Sequence, residues 1–441
     1  MYDIQITQLR IAKVRNLKDI VIPVSEPNKK RRHLIITGRN GSGKTSLLEA
    51  ISKHLDWLAT QGNPGQQLHY YEQKQRDLER AIKNSRSENE VQGIRNRVEF
   101  YRQTWEQAWQ GVDIMLTVPI DGVLSHFQIG EFILAFYRDN RIFEAEQPKH
   151  VEKVELKETY SINARTVKDT PRYEFIKYLL DMKVMEALAA RSQDKARQDR
   201  ADKIRMWFEQ FDLLLQQIFN DCGGYNKGTR TVKLIFNEET YKFTILEADK
   251  EPFDFNNLSA GFAAVLDIIV DLIMRMEKHT GGVFRFDLPG IVLIDEIETH
   301  LHIDLQRMIL PFLTTFFPNV QFIVSTHSPF ILSSLENVVI YDLENKTLVN
   351  QPQGLTDVPY NGIVESYFNT DKLSASLRKK YDRFKELVGK KVITDDDIME
   401  INELEIFLDE IPDYLAWDIA TEYKRLKSEF EAREDLYNDK N

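Results

Sequence analysis

Residues 38–45 read Gly38-Arg39-Asn40-Gly41-Ser42-Gly43-Lys44-Thr45, a full match to G-x-x-x-x-G-K-[ST]. A short apolar run, His33–Thr37, precedes the motif, and a helix-like stretch, Ser46–Ala59, follows it. In a strand, glycine loop and helix, small residues let consecutive backbone N–H groups face a phosphate chain. The helix N-terminus adds positive potential there. Such a loop cradles phosphates with Gly38, Arg39, Asn40, Gly41, Ser42, Gly43, Lys44, Thr45 and Ser46. Lys44 is expected to reach the β- and γ-phosphates and the Thr45 hydroxyl to ligate Mg2+, so ATP and Mg2+ are the expected cofactors.

Far downstream stands Ile291-Val292-Leu293-Ile294-Asp295-Glu296. Four apolar residues ending in two acids read as a buried strand that delivers carboxylates to its C-terminal edge, where open α/β sheets bind ligands. Asp295 is expected in the Mg2+ shell. Glu296 is expected to orient or deprotonate the attacking water. A further apolar run, Val320–Ser325, leads into Thr326-His327-Ser328-Pro329. Alone, His327 reads as a structural turn histidine; beside the other two elements it is placed to hydrogen-bond a γ-phosphate. Asn257-Leu258-Ser259-Ala260-Gly261 directly precedes a helix, so Ser259 and Gly261 form either a second anion site or a plain helix cap.

The chain has 441 residues, 42% hydrophobic and 29% charged, which excludes disordered and low-complexity classes. No apolar run reaches the roughly 18 residues that cross a bilayer, so no membrane association is expected. The N-terminus alternates polar and apolar residues without a signal-peptide core, and a cytoplasmic location is expected. The single cysteine, Cys222, excludes a disulfide framework and a thiolate zinc cluster. Residues 391–441 hold 16 Asp and Glu against 6 Lys and Arg, a charge of -10 out of the total of -11. The remainder is nearly neutral, so the acidity does not argue against nucleic-acid binding.

The expected organisation is an α/β fold with a mixed β-sheet, helical insertions and a helical C-terminal segment. Residues 1–60 form the first lobe with the phosphate loop, 61–112 a helical hairpin insertion and 113–172 strands that return to the head. Residues 173–222 form a second helical insertion, 223–350 the second lobe and 351–441 an acidic helical segment. The hairpin reads as a solvated helix pair, with a partner or DNA contact as the alternative. Asp395–Asp397 after Thr394 reads as a helix start.

The phosphate loop, LSAG segment, IDE strand end and STH tip, in that order, resemble the ABC-type ATPase heads of the Rad50, RecF and OLD group. The stretch IDEIETHLH with STHSPFIL is especially similar to the OLD and RecF-like branch. The resemblance implies a homo-oligomer whose heads sandwich ATP. Lys44 of one subunit would face Ser259 and Gly261 of another. Glu296, His327 and Lys44 would be catalytic, and Glu298, His300 and His302 would lie near the dimer seam. Phe262 stands where relatives carry a polar residue, and Ile303 where they often carry proline. The Q-loop glutamine has no counterpart; the strand end offers Tyr137, Arg138 and Arg141, and the position stays open. The zinc-hook coiled coil of Rad50 and the Toprim domain of OLD nucleases are missing from the pattern. The compact head resembles ATPases of bacterial anti-phage systems. First among these is the Septu and retron-associated ATPase paired with an HNH nuclease; second is the PARIS ATPase paired with a Toprim effector. This implies a separate nuclease partner, with the acidic tail as its docking surface. The alternative is a repair or chromosome-maintenance ATPase acting directly on DNA.

Overall fold

The structure, a computed structural model, describes residues 4–26, 29–84, 87–141, 143–164, 166–221, 231–247, 251–280, 283–351, 353–358, 362–363, 375–390, 393–409 and 417–432. Cys222 lies outside them. The chain forms two compact units, Met1–Tyr360 and Asn361–Asn441.

The first unit opens with two alternating strands, β1 (Ile6–Val14) and β2 (Leu17–Pro23), which pair antiparallel. Their inward residues Leu9, Ile11, Ile20 and Ile22 are buried, as a half-solvated sheet requires. β3 (His33–Thr37) is buried throughout and leads through the glycine loop into α1 (Lys44–Thr60). A hairpin of α2 (Gly65–Lys83) and α3 (Glu88–Trp109) follows. Glu90 starts α3 by accepting the Ser87 amide at 3.3 Å and the Ser87 hydroxyl at 3.1 Å. The hairpin is zipped by rings, with Tyr71 stacked on Trp105 at 6.0 Å and Trp105 on Trp109 at 5.0 Å.

β4 (Val112–Leu116) joins β1 to complete the three-stranded sheet β2-β1-β4. A short helix, α4 (Ile120–Gln128), separates it from β5 (Ile133–Tyr137). The next pair is α5 (Phe175–Ala190) and α6 (Lys195–Asp221), then the hairpin β6 (Val232–Asn237) and β7 (Lys242–Glu247). α7 (Ala260–Thr280) is buried nearly all round. The second lobe continues with β8 (Gly290–Ile294), α8 (Ile303–Phe316), β9 (Val320–Ser325), α9 (Pro329–Leu332), β10 (Val338–Asp342) and β11 (Thr347–Val349).

The main sheet runs β11-β10-β3-β9-β8-β5. Its five strands from β10 to β5 are parallel and β11 pairs antiparallel, so the sheet is mixed. β3, β8, β9 and β10 bury every residue, as strands covered on both faces do. In register, Tyr137 faces Ile294, Ile294 faces Val324, and Ile36 faces Ser325. The C-terminal ends of β3, β5, β8 and β9 therefore share one edge. Between the two sheets Gln321 is fully buried. Its Nε2 donates to the Ile6 and Arg32 carbonyls at 3.1 and 2.9 Å, and its Oε1 accepts the Ile6 amide at 2.6 Å. One side chain thereby satisfies the backbone where the sheets meet.

The second unit packs helices Ala375–Val388, Asp395–Asp409 and Trp417–Glu431 around Phe384, Leu387, Ile401, Leu408 and Tyr423. Asp397 accepts the Thr394 amide at 3.0 Å and returns its own amide to Thr394 Oγ1 at 3.3 Å. The acidic cluster is a helix start, and no cluster of three or more His, Cys, Asp or Glu placed to hold a metal occurs among the described residues.

Candidate functional site at the sheet edge

The glycine loop turns at Gly38, Gly41 and Gly43, with φ of 134°, 82° and 103°. At Gly43 a side chain would be strained by that φ and would meet Leu17 at 3.3 Å, so only glycine closes the loop against β2. Arg39, Asn40, Gly41 and Thr45 are exposed, Ser42 and Ser46 partly so, and Lys44 is buried. Lys44 Nζ donates to the Gly38 carbonyl at 2.8 Å and to the Arg39 carbonyl at 3.3 Å. Burial lowers its pKa, opposed by the carboxylates of Glu296, Glu298, Asp295 and Asp342. Outside the loop, Glu344 Oε2 accepts the Arg39 amide at 3.2 Å. The buried Ser42 Oγ and Thr37 Oγ1 find no hydrogen-bond partner among the described residues. These orphaned hydroxyls and the inward ammonium fit a bound triphosphate.

Asp295, just past β8, is 1% exposed. Glu296 follows with a φ of 43°, an uncommon backbone for a residue with a side chain. Two groups hold it there. In front, Ser325 Oγ accepts the Glu296 amide at 2.8 Å and donates to Asp295 Oδ1 at 2.5 Å. Behind, the buried Arg141 donates to the carbonyls of Asp295 and Glu296, both at 2.7 Å, and of Ile297 at 3.3 Å. A fourth bond reaches the Arg138 carbonyl at 3.0 Å. Burial works to lower the Arg141 pKa against the carboxylates of Asp267, Glu298 and Asp295.

His327 sits at the tip after β9. Its Nε2 lies 2.6 Å from Lys44 Nζ and 3.4 Å from Glu296 Oε1. Its amide donates to Glu298 Oε1. Lys44, Glu296 and His327, separated by up to 283 residues in sequence, thus meet at one point. Asp295, held by Ser325, flanks them.

The remaining expected residues lie elsewhere. Ser259 is exposed at the start of α7, its carbonyl accepting the Ala263 amide at 2.9 Å. At Gly261 a Cβ would come within 3.0 Å of the His300 carbonyl, so the signature backs directly onto the loop after Glu296. Phe262 stacks on Phe219 of α6 at 4.3 Å and 9°, which gives the ring an apolar partner within the same chain. His300 is exposed with a φ of 68°. His302 is also exposed, 3.5 Å from Asp304. Of the three candidates for the open position, the Tyr137 hydroxyl is turned inward onto Asp271 at 2.7 Å and Arg138 pairs with Glu49. Arg141 serves the backbone of the turn at Glu296. Sequence reasoning missed Ser325, although it stands inside the STH tip, and did not foresee what Arg141 does.

Residues 117–333 match the family described as AAA domain, putative AbiEii toxin, Type IV TA system. The chain is 32% identical over 158 residues to the Retron Ec83 probable ATPase of Escherichia coli, covering 33% of this chain and 28% of that protein. It is 25% identical over 359 residues to the Retron Vc95 probable ATPase of Vibrio cholerae serotype O1 biovar El Tor, covering 68% and 66%. It is 38% identical over 91 residues to the Septu protein PtuA of Bacillus mycoides, covering 20% and 12%. The matched part is less than two thirds of each relative's own length.

Proposed function

We propose that this chain, which is similar to the retron ATPases and the Septu protein PtuA, is an ABC-type ATPase head that binds ATP with Mg2+ and hydrolyses it across a homo-oligomeric head interface. The cycle scaffolds or regulates a separate nuclease in bacterial anti-phage defence.

The convergence of Lys44 and Glu296 on His327, at 2.6 and 3.4 Å from its Nε2, carries this reading. The loop amides and Lys44 hold the β- and γ-phosphates. Glu296 orients the attacking water or takes its proton, and its fixed backbone places the carboxylate in advance. His327, between Lys44 and Glu296, contacts the γ-phosphate and senses its loss. Thr45 and Asp295 would hold Mg2+, which when bound supplies charge neutralisation across the phosphates. Ser259 and Gly261 of a second subunit complete the site, with Glu298, His300 and His302 near the seam. Exposure of Ser259 and His302 supports this arrangement.

The resemblance to retron and Septu proteins supports a nuclease partner, HNH-type first and Toprim-type second, docked on the acidic helical unit. Nucleic acid would be reached directly or through that partner. The test is the mass of the Glu296→Gln protein with and without ATP, alongside turnover by the wild type. A standing oligomer in both conditions, with ATP trapped by the variant, supports a scaffold. A monomer that pairs only on ATP, and binds DNA with steep salt dependence, would replace it with an ATPase acting directly on DNA. A wild type without turnover overturns the enzymatic reading.

A further inference from the structure

Behind the site, between β5, the turn at Pro171–Glu174 and α7, lies a polar cavity of about 370 Å3 whose walls include Arg141, Arg172, Asp267 and Asp271. Its ions are deeply buried: Asp267 is 1% exposed, Asp271 0% and Arg275 6%. Arg172 Nε lies 2.6 Å from Asp267 Oδ1, and Arg172 Nη1 lies 3.7 Å from Asp271 Oδ1. Asp271 Oδ2 accepts from Tyr137 and from Arg275 Nε, both at 2.7 Å. Arg275 also donates to the carbonyls of Leu134, Tyr160 and Ser161 at 3.2 to 3.3 Å. The Arg172–Asp267 contact falls outside hydrogen-bond geometry for both atoms.

Buried ion clusters are costly and weak as a source of stability, so their position needs another reason. This one joins two parts of the proposed site. Arg141, on one wall, holds the Glu296 turn. Asp267, on another, sits on the third turn of the helix that begins at Ser259–Gly261.

We infer that Arg172 and Asp267 are positioning residues for hydrolysis: their ion pair ties α7 to the Pro171–Glu174 turn, whose Tyr173 carbonyl accepts the Glu146 amide at 2.9 Å, five residues on from Arg141. A shift of the Glu296 turn is then felt at Ser259 and Gly261, which face the neighbouring subunit, and a shift of the signature is felt at Glu296. The inference rests on the proposed ATPase reading.

The groups facing Asp267 are Arg172 from the Pro171–Glu174 turn, Arg141 and Arg138 from the segment after β5, Tyr137 from β5, and Asp271 and Arg275 from its own helix. Burial raises the Asp267 pKa to about 7, with Arg172 and Arg141 opposing and Asp271 reinforcing the rise. The ion pair therefore forms as pH rises through about 7.

The test compares Arg172→Gln, Asp267→Asn and Arg172→Lys in the full chain. Nucleotide affinity is read with a fluorescent ATP analogue, turnover from pH 6 to 8.5, and melting temperature in parallel. The inference expects affinity within about twofold of wild type and turnover down about tenfold in the first two variants. Arg172→Lys recovers most of the rate, and the rise in turnover through pH 7 disappears in Asp267→Asn. Folded Asp267→Asn with the wild-type rate and pH profile would sink the inference alone. Loss of affinity and melting temperature together in Asp267→Asn and Arg172→Gln, unrelieved in Arg172→Lys, would make the pair a packing element and overturn it. A wild type that binds the analogue and never turns over sinks the ATPase reading, and this inference with it.

Discussion

Ser325 donates its hydroxyl proton to Asp295 at 2.5 Å while the same oxygen accepts the amide of the next residue, Glu296. One hydroxyl thus fixes the side chain of the first acid and the backbone of the second. Ser325→Ala removes both bonds. A hydrogen bond to a charged group contributes about 1.5–3 kcal/mol. Turnover should fall roughly 10- to 100-fold, with nucleotide affinity near wild type. Steady-state rates and a nucleotide-binding isotherm check this; an unchanged rate would free Ser325 from the role.

Arg141 satisfies four carbonyls from a buried position. Arg141→Met removes this donor from all four, while the Glu296 carbonyl keeps another partner, the Thr299 amide at 2.9 Å. The cost is about 1–3 kcal/mol for each group that water fails to reach. The variant should melt several degrees lower and lose turnover, since Glu296 no longer has support behind it. Arg141→Lys should recover only part of both, because a single ammonium lacks the planar fork. Thermal melting and turnover across the pair decide the matter.

Gly261 has little room before the His300 carbonyl. Gly261→Ala should push the loop after Glu296 by a few tenths of an ångström and change melting by little, because α7 gains helix propensity. ATP-dependent oligomerisation and turnover should both drop. Gel filtration with ATP, and turnover as a function of protein concentration, separate a weakened interface from a damaged catalytic edge.

His33 is buried and its Nδ1 accepts the Phe322 amide at 3.1 Å. Burial, with Arg31 and Lys30 nearby, lowers its pKa from 6.5 to about 3. The folded state keeps the ring neutral while the unfolded chain takes a proton below pH 6.5. Stability should therefore be lost as pH falls from about 6.5 toward 3. His33→Asn keeps an acceptor for Phe322 and cannot titrate. Its melting temperature should fall less steeply with acid than that of the wild type, whatever its offset at neutral pH.

The parts legible in the sequence were those that combine a strand end with an unusual polar tip: the glycine loop after β3, Asp295-Glu296 after β8, and His327 after β9. Each is local, so spacing alone exposes it. Arg141 and Ser325 act on backbone atoms that lie 154 and 29 residues away. Only the parallel register of β5, β8 and β9 brings them there, and no single segment encodes that register. The helix α4 was overlooked because a nine-residue stretch with an internal glycine, set between strands, gives little periodicity to read. Asp267, Asp271 and Arg275 stood in a helix expected from its apolar pattern. Their i, i+4, i+8 spacing marks one face, but their partners come from Arg172 and Tyr137.

The helical hairpin leaves the head after α1 and returns beside it. His54 of α1 lies 3.0 Å from the Ala108 carbonyl at the far end of α3, and the Ala12 amide of β1 donates to the Gly111 carbonyl at 3.0 Å. The return end of the insertion is therefore pinned to α1 and β1, while α2 and α3 take no part in the sheets. Whole turns can be added to or removed from α2 and α3 together without disturbing strand register or the residues around Lys44. The reach of that arm is therefore set independently of the residues at the sheet edge.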